Sequence, residues 1–119
     1  MIKKLAVATL WVDDFMRAVA FYQDILKLEL TTRPGDAPHF RVGDGLLVLI
    51  KGQFCPPGDA FPPDFAQVSF EVENLDEIVA RLQKFEVELI GNIEERRDSR
   101  WIKLRDPASN IIELVEIKA

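Results

Sequence analysis

The feature that most constrains this chain is an internal repeat, because a duplicated sequence has to form the same small unit twice. Shifting the second half back by 60 positions places similar residues over one another in the same order. A one-residue deletion, and then an offset of about 65 positions, carries the match to the end of the chain. The matching segments are residues 7–15 with 67–75, residues 27–30 with 86–89, and residues 46–50 with 111–115. The repeat therefore predicts two copies of one module.

A segment rich in proline separates the two copies. Residues 53–64 hold four of the seven prolines, and proline lacks the N–H donor that a helix interior or a central strand needs. We therefore interpret residues 53–64 as a linker. The predicted organisation is a single domain over residues 1–119, built from modules 1–52 and 65–119.

Hydrophobic periodicity gives both modules the same order of elements. Alternating apolar residues predict strands, and apolar residues three and four positions apart predict a helix after the first strand. Asp14 and Asn74 stand where each helix begins, and their side-chain oxygens can accept from free backbone N–H groups there. The predicted helices are residues 15–26 and 75–84, and the predicted strands are residues 4–12, 28–33, 38–42, 45–51, 66–73, 87–95, 100–105 and 110–117. Each module is thus predicted to have the order β-α-β-β-β.

Composition limits the kinds of protein that this chain can be. Its 119 residues are 48% hydrophobic, which favours a folded core over disorder, and no apolar run is long enough for a transmembrane helix. The net charge of −5, without a basic cluster, argues against nucleic acid and membranes as partners. The single cysteine, Cys55, cannot form an internal disulfide, and the N-terminal segment is interpreted as a strand rather than a signal peptide. We therefore expect a cytoplasmic protein.

Four segments carry a resemblance to a known family. They are residues 10–22 (LWVDDFMRAVAFY), 26–28 (LKL), 70–75 (FEVENL) and 106–114 (DPASNIIEL). With these motifs the chain resembles the vicinal oxygen chelate superfamily, which includes glyoxalase I, extradiol dioxygenases, fosfomycin resistance proteins and bleomycin resistance proteins. The resemblance implies an α+β fold in which two βαβββ modules form a curled, mainly antiparallel eight-stranded sheet around a cup (glyoxalase-like). It also implies a homodimer, since members commonly complete their cups by pairing or swapping modules.

In this family the function lies in the cup, so residues have to be sorted by the face of the sheet that carries them. Alternation along each strand places one set of residues under the helices and the other set toward the cup. The cup-facing set includes two tryptophans that suit a planar ligand, and several polar groups that could anchor it or, for Glu71 with Glu113, act as acid and base. The candidate ligand-binding residues are Thr9, Trp11, His39, Arg41, Gln67, Glu71, Trp101, Lys103 and Glu113. A carboxylate on this face is more often paired with a base such as Arg41 or Lys103 than catalytic.

The metal-dependent members of the family resemble one another in four ligands, one from each first and each last strand. Position by position, these ligands fall on Val7, Val48, Gln67 and Glu113. Valine has no lone pair to donate to a divalent ion, so two of the four ligands are missing. We therefore predict that the protein uses no metal and no cofactor. His39, the only histidine, lies on a different strand and is a weaker candidate ligand.

Three functions remain open on this reading. The first is a metal-free protein that binds a small organic molecule in the cup, which the missing ligands favour. The second is a metal-dependent lyase, isomerase or dioxygenase of the same superfamily, which Gln67 and Glu113 favour. The third is a non-catalytic interaction module whose cup is filled by its own aliphatic side chains. The sequence does not identify the ligand, although Arg41 and Lys103 would oppose a cationic one such as bleomycin.

Overall fold

The fold is given by a computed structural model, which describes residues 1–32, 36–53 and 65–118. The chain divides into two compact units, Met1–Cys55 and Pro56–Ala119. The predicted linker, residues 53–64, lies outside the described residues except for Gln53. The assignment of both modules to a single domain therefore stays a prediction.

The first unit is a four-stranded sheet with one helix. Its strands are β1 (Val7–Val12), β2 (Glu29–Leu30), β3 (His39–Val42) and β4 (Gly45–Lys51), and its helix α1 (Phe15–Ala20) continues into a π-helical turn at Phe21–Ile25. The strand order is β1-β4-β3-β2. β1 is parallel to β4, whereas the other neighbouring pairs are antiparallel. The first strand of the unit therefore lies beside its last strand.

The second unit repeats this arrangement. It consists of β5 (Val68–Glu71), α2 (Leu75–Lys84), β6 (Leu89–Glu95), β7 (Ser99–Arg105) and β8 (Ile111–Ile117). The strand order is β5-β8-β7-β6, with β5 parallel to β8 and the remaining pairs antiparallel. The predicted fold class, α+β with two βαβββ modules and mainly antiparallel pairing, is confirmed. Neither helix in the described part of the chain has the length and apolarity that a membrane span requires.

Both helices begin at the side-chain caps that the sequence predicts. Oδ1 of Asp14 accepts from the backbone N–H of Arg17 at 3.2 Å, and Oδ1 of Asn74 accepts from the backbone N–H of Glu77 at 3.1 Å. Each cap satisfies one of the backbone donors that the first turn of a helix leaves free. The two caps lie 60 positions apart, at the offset of the repeat.

Charged groups fix the start of α2 against its sheet. Arg100 donates to both carboxylate oxygens of Asp76, at 2.9 and 3.1 Å, and Glu116 accepts from the backbone N–H of Leu75 at 2.8 Å. The hydrogen bonds from Arg100 hold the pKa of the Asp76 carboxyl below its usual value. Because the Asp76 carboxylate is exposed, its pairing with Arg100 orients the helix more than it stabilises the unit.

The core of each unit lies on the helix-facing side of its sheet. Alternate residues of β1 and β4, together with Phe40 on β3, are almost completely buried in the first unit. Alternate residues of β7 and β8 are buried in the second. These core side chains are Leu10, Val12, Phe40, Leu47, Leu49, Ile102, Leu104, Ile112 and Leu114. Burial is deepest at every second position, as a sheet with one covered face produces, although Val48 and Ile111 on the opposite face are also buried.

The one-residue deletion in the repeat coincides with the π turn. In that turn the backbone N–H of Leu26 donates to the carbonyl of Phe21, five residues earlier, at 3.0 Å. In α2 the corresponding residues remain α-helical as far as Lys84. A turn closed over five residues instead of four takes up one extra residue, so the first helix is one residue longer without changing how it ends.

The residue after each helix adopts the same unusual backbone conformation. Lys27 has a φ of 61° and Glu86 a φ of 58°, in the left-handed region. The next residue then donates back into the helix, from Leu28 N to Tyr22 O at 2.9 Å and from Val87 N to Leu82 O at 3.0 Å. This bond satisfies a carbonyl at the end of the helix and turns the chain toward the following strand.

Six of the eight strands and one helix are shorter than predicted, and the largest differences are at the predicted strands 4–12, 28–33 and 66–73, the last of which covers only Val68–Glu71. Residues 4–6 precede β1. Ala6 still accepts from the backbone N–H of Leu46 at 3.0 Å, whereas Lys4 and Leu5 would fall opposite residues 43 and 44, in the turn before β4.

β2 covers Glu29–Leu30 rather than 28–33. The backbone N–H of Thr31 still donates to the carbonyl of His39 at 2.9 Å, but the backbone N–H of His39 donates to the hydroxyl of Thr32 instead of to a backbone carbonyl. The first helix was predicted as one α-helix to residue 26, whereas its second half is the π turn.

Replacing Glu86 with glycine should stabilise the protein. A residue with a Cβ is strained at a φ of 58°, and glycine is not. We expect Glu86→Gly to raise the free energy of unfolding by about 0.5–1 kcal/mol, measured by urea denaturation. The matched control is Gln83→Gly, within α2, which should lower it by a similar amount. Equal destabilisation by both changes would contradict the left-handed conformation at Glu86.

Candidate functional site

The open face of the first sheet is the face opposite the buried core residues. Residues paired directly across neighbouring strands share a face, so the strand register shows which side chains lie together. The rows on the open face are Val7–Leu46–Arg41–Glu29, Thr9–Val48–His39 and Trp11–Ile50. All four candidate residues of the first module, Thr9, Trp11, His39 and Arg41, therefore lie on one face.

Trp11 is positioned by a glycine at the end of β4. A Cβ atom built on Gly52 would lie 2.7 Å from Cε3 of Trp11, so the indole rests directly on the Gly52 backbone. The backbone N–H of Gly52 also donates to the carbonyl of Val12 at 2.8 Å. Trp11 nevertheless stays 42% exposed. The indole is thus held in place with part of its surface open to a ligand.

The two basic candidates of the first module have partners within their own unit. Nδ1 of His39 lies 2.5 Å from the carbonyl oxygen of Ala37, which can only accept, so Nδ1 carries the proton. In the neutral ring this leaves the lone pair on Nε2. The guanidinium of Arg41 lies 3.4 Å from a carboxylate oxygen of Glu29, its neighbour in the ladder. This ion pair is exposed, so a ligand could compete for Arg41 at little cost.

The open face of the second sheet carries the remaining candidates. Its two central rows are Ser69–Glu113–Lys103–Ile90 and Glu71–Val115–Trp101–Glu94. Glu71, Trp101, Lys103 and Glu113 are thereby brought onto one face. Glu71 and Glu113 lie in neighbouring rows of the ladder, which is the placement that an acid–base pair would need.

Glu113 is held at the centre of this face by its neighbours. Oγ of Ser69 donates to Oε1 of Glu113 at 2.9 Å. Lys103 is directly opposite Glu113 in the pairing of β7 with β8. Glu113 therefore presents an oxygen acceptor at a fixed place on the sheet.

Trp101 forms the aromatic part of the second open face. Its side chain is half-buried, and the guanidinium carbon of Arg96 lies 5.6 Å from the ring centroid. A cation over the ring is attracted to its electron-rich face. The sequence singled out Trp101 as a stacking surface but not Arg96, which follows the end of β6 and is brought back over the ring by the β6–β7 hairpin.

Gln67 is occupied by a structural role. Its Nε2 donates to Oδ1 of Asn110 at 2.7 Å, and its Oε1 accepts from the backbone N–H of Ile111 at 3.0 Å. Both ends of the amide therefore bind the start of β8. These bonds join the segment before β5 to the turn before β8, where the parallel pairing of the two strands begins.

The turn that Gln67 reaches is organised by a buried aspartate. Asp106 is 5% exposed and Asn110 is 2% exposed. One carboxylate oxygen of Asp106 accepts from the backbone N–H groups of Ala108 and Asn110, both at 2.9 Å, and the other accepts from the Asn110 amide at 3.0 Å. We name Asp106, Asn110 and Gln67 the turn cluster. The sequence marked 106–114 as a family motif but did not reveal the turn cluster, because the bond from Gln67 to Asn110 joins residues more than 40 positions apart.

The residues at the four family metal positions do not fit a divalent ion. Val7 and Val48 offer only methyl groups, and both ends of the Gln67 amide are already bonded. Glu113 alone presents a carboxylate, and it is shared with Ser69. Within the described ranges, no three His, Cys, Asp or Glu side chains come together in a way that suits a metal ion. We therefore derive no chemistry through a metal at these positions.

Removing the Asp106 carboxylate should destabilise the second unit severely. Asp106→Ala loses three accepted hydrogen bonds and leaves their donors buried. We expect a loss of about 3 kcal/mol or more in the free energy of unfolding, measured by thermal or urea denaturation. The matched control is Asp98→Ala, at an exposed aspartate, with a change of about 0.5 kcal/mol or less. A loss at Asp106 no larger than that at Asp98 would contradict the turn cluster.

Comparison with known proteins connects this geometry to a family. The sequence profile described as Glyoxalase/Bleomycin resistance protein/Dioxygenase superfamily matches residues 4–114. Comparison with the curated proteins gives no significant match.

Several solved structures have the same fold. Lactoylglutathione lyase from Agrobacterium tumefaciens has a TM-score of 0.74 and 24% identity, covering 97% of this chain and 94% of that one. TnmS3, an antibiotic binding protein from Streptomyces sp. CB03234, has a TM-score of 0.77 and 22% identity, covering 98% of each chain. A glyoxalase/dioxygenase from Nostoc punctiforme has a TM-score of 0.80 and 20% identity, covering 98% of this chain and 92% of that one. At these identities the likeness is one of fold.

Proposed function

We propose a function from one premise: this chain belongs to the Glyoxalase/Bleomycin resistance protein/Dioxygenase superfamily. Within that superfamily it acts as a metal-free binding protein for a small organic molecule. The ligand is held against the open face of a sheet, where a tryptophan provides apolar contact and charged groups provide polar anchors.

The observation that carries this proposal is the chemistry at the four family metal positions. Two of them are valines, and the glutamine at the third is bonded at both ends within its own module. A divalent ion at Glu113 would have this one carboxylate as its protein ligand among the four positions, whereas a zinc site in a protein is built from three or four. Binding through aromatic and polar side chains does not need those positions.

The open faces supply the groups that such binding requires. Trp11 keeps 42% of its surface exposed although its position is fixed by Gly52. A rigid, partly exposed indole gives a large contact area with little loss of side-chain freedom. Lys103 and Glu113 on the second sheet, and His39 and Arg41 on the first, supply polar groups of both charges. TnmS3, which shares the fold, is described as an antibiotic binding protein, and the proposed function is of that kind.

The alternative is a metal-dependent lyase, isomerase or dioxygenase. Glu113 favours it, because it keeps an oxygen donor at a family metal position on the open face. Lactoylglutathione lyase, with the same fold, is an enzyme of the lyase class. The two functions differ in one measurable property, which is tight binding of a divalent ion.

Purified protein should carry no stoichiometric Zn²⁺, Ni²⁺, Fe²⁺ or Mn²⁺, measured by elemental analysis, and EDTA should leave its melting temperature unchanged. An ion that binds only the native state far above its Kd stabilises that state by a few kcal/mol, so a real site would show.

The matched control is the double variant Val7→His with Val48→Glu, which supplies nitrogen and oxygen donors at the two valine positions. Because Val48 is only 8% exposed, the variant itself should melt at a lower temperature, and added Zn²⁺ should raise that temperature. The parent should show no such response. One tightly bound equivalent in the parent, abolished by Glu113→Ala, would overturn the metal-free proposal in favour of the enzyme.

We also expect the protein to form a homodimer. Several large apolar side chains are exposed in the isolated chain, among them Val7 at 51% and Met16 at 84%, and a second copy could cover them. Light scattering over a range of micromolar concentrations checks this, with a dimer mass expected. A monomer mass that does not change with concentration would reject the dimer and leave the binding proposal standing.

A further inference from the structure

The pairing of β6 with β7 is interrupted by a bulge. Ile90 pairs with Lys103, and the next pair along the ladder is Glu94 with Trp101. Three residues of β6 thus stand opposite the single residue Ile102. Gly91, the first of the three, has a φ of 73°, in the left-handed region that favours glycine. Bulges of this kind redirect side chains and are common beside binding sites.

The bulge borders a cavity of about 130 Å³ on the second unit. Its lining includes Ile90, Asn92, Glu94, Trp101 and Lys103. We name this cavity the bulge pocket. The bulge pocket is slightly smaller than an enclosed cavity of about 150 Å³ that holds one benzene molecule, but it is open to solvent on one side, so a single aromatic ring can lie in it with one edge exposed. The half-buried Trp101 provides an aromatic wall for such a ring, and Ile90 an aliphatic one.

Two opposite charges line the bulge pocket. Lys103 and Glu94 lie on the same face of the sheet, in neighbouring rows. Lys103 is paired directly with Ile90 and Glu94 with Trp101, and both of these partners line the pocket. The surrounding charges are also of both signs, with Arg96 over the Trp101 ring, Glu113 opposite Lys103, and Glu71 in the same row as Trp101. A ligand with one charge would meet one favourable and one unfavourable wall. A ligand with two separated, opposite charges complements both walls.

We propose that the bulge pocket binds a small aromatic zwitterion. The ring lies against Trp101, the carboxylate group pairs with Lys103, and the ammonium group pairs with Glu94. Asn92 adds an amide that can donate to the first group or accept from the second. This inference rests on the proposed function, since it names the ligand class and one subsite of the same binding protein.

The test uses four one-ring probes that differ in which charged substituents the ring carries. They are 4-(aminomethyl)benzoate, which is zwitterionic, benzoate, benzylamine and benzyl alcohol. Binding is followed by tryptophan fluorescence in the Trp11→Phe variant, in which Trp101 is the only tryptophan. We expect saturable binding, with the zwitterion bound about tenfold more tightly than either singly charged probe, or about 1.4 kcal/mol.

Variants of the two charged residues make the assignment specific. Lys103→Met should remove the advantage of the zwitterion over benzylamine, and Glu94→Gln should remove its advantage over benzoate. The matched control is Glu95→Gln, next to Glu94 on β6, whose carboxylate pairs with Lys118 instead. It should leave all four affinities unchanged. Circular dichroism of each variant verifies that the fold is retained.

Two outcomes would overturn the inference. One is equal binding of all four probes, and the other is a charge preference that survives both Lys103→Met and Glu94→Gln. The Trp101→Phe variant, which reports on Trp11 alone, separates this inference from the proposed function. Fluorescence changes at Trp11 without changes at Trp101 would rule out ligand binding in the bulge pocket, and the proposed small-molecule binding function would still stand. A tightly bound metal ion in the parent would instead overturn the proposed function.

Discussion

Both sheets depend on one constraint, the parallel pairing of the first strand of each module with its last. A hairpin cannot join two parallel strands, so the helix and the two middle strands have to form the connection between them. This pairing brings residues that are about 40 positions apart into one row, as with Thr9 and Val48, or Ser69 and Glu113. The composition of the open faces follows from that register, because a shift of one residue would turn every side chain to the opposite face.

The two modules fix this pairing in different ways, and the difference matters for function. In the second, the turn cluster of Asp106, Asn110 and Gln67 holds the start of β8 against β5. In the first, the hairpin at residues 43–45 precedes β4, and the residue equivalent to Gln67 is Val7. Gln67 occupies a family metal position, but its hydrogen bonds within the turn cluster are a sufficient reason for a glutamine there. This removes one of the two reasons for expecting a metal, and leaves Glu113 as the other.

The sequence predicted the repeated parts of the structure well and the irregular parts poorly. The helix at residues 75–84 and its cap at Asn74 were predicted as found, because capping and apolar spacing are local properties. The one-residue deletion in the repeat corresponds to the π turn. A deletion by itself does not show whether a helical turn, a loop or a strand accommodates the extra residue. Lys4 and Leu5 were predicted as strand from their alternation, whereas a strand also needs a partner, and by the register these two residues fall opposite the turn before β4.

The sequence by itself determined the order of the elements, the two-module organisation and the face of the sheet on which each candidate lies. Those properties follow from the spacing of apolar residues along the chain, with a period of about 2 residues in strands and about 3.6 in helices. Only the tertiary structure decided which polar groups already have partners, as Gln67 has in Asn110 and Arg41 has in Glu29, and where the β6 bulge opens a pocket beside Trp101. The physical reason is that a hydrogen bond or an ion pair depends on distances of about 3 Å between atoms of distant residues. Strand register and bulges fix those distances, and the pattern of apolar and polar residues along the chain does not.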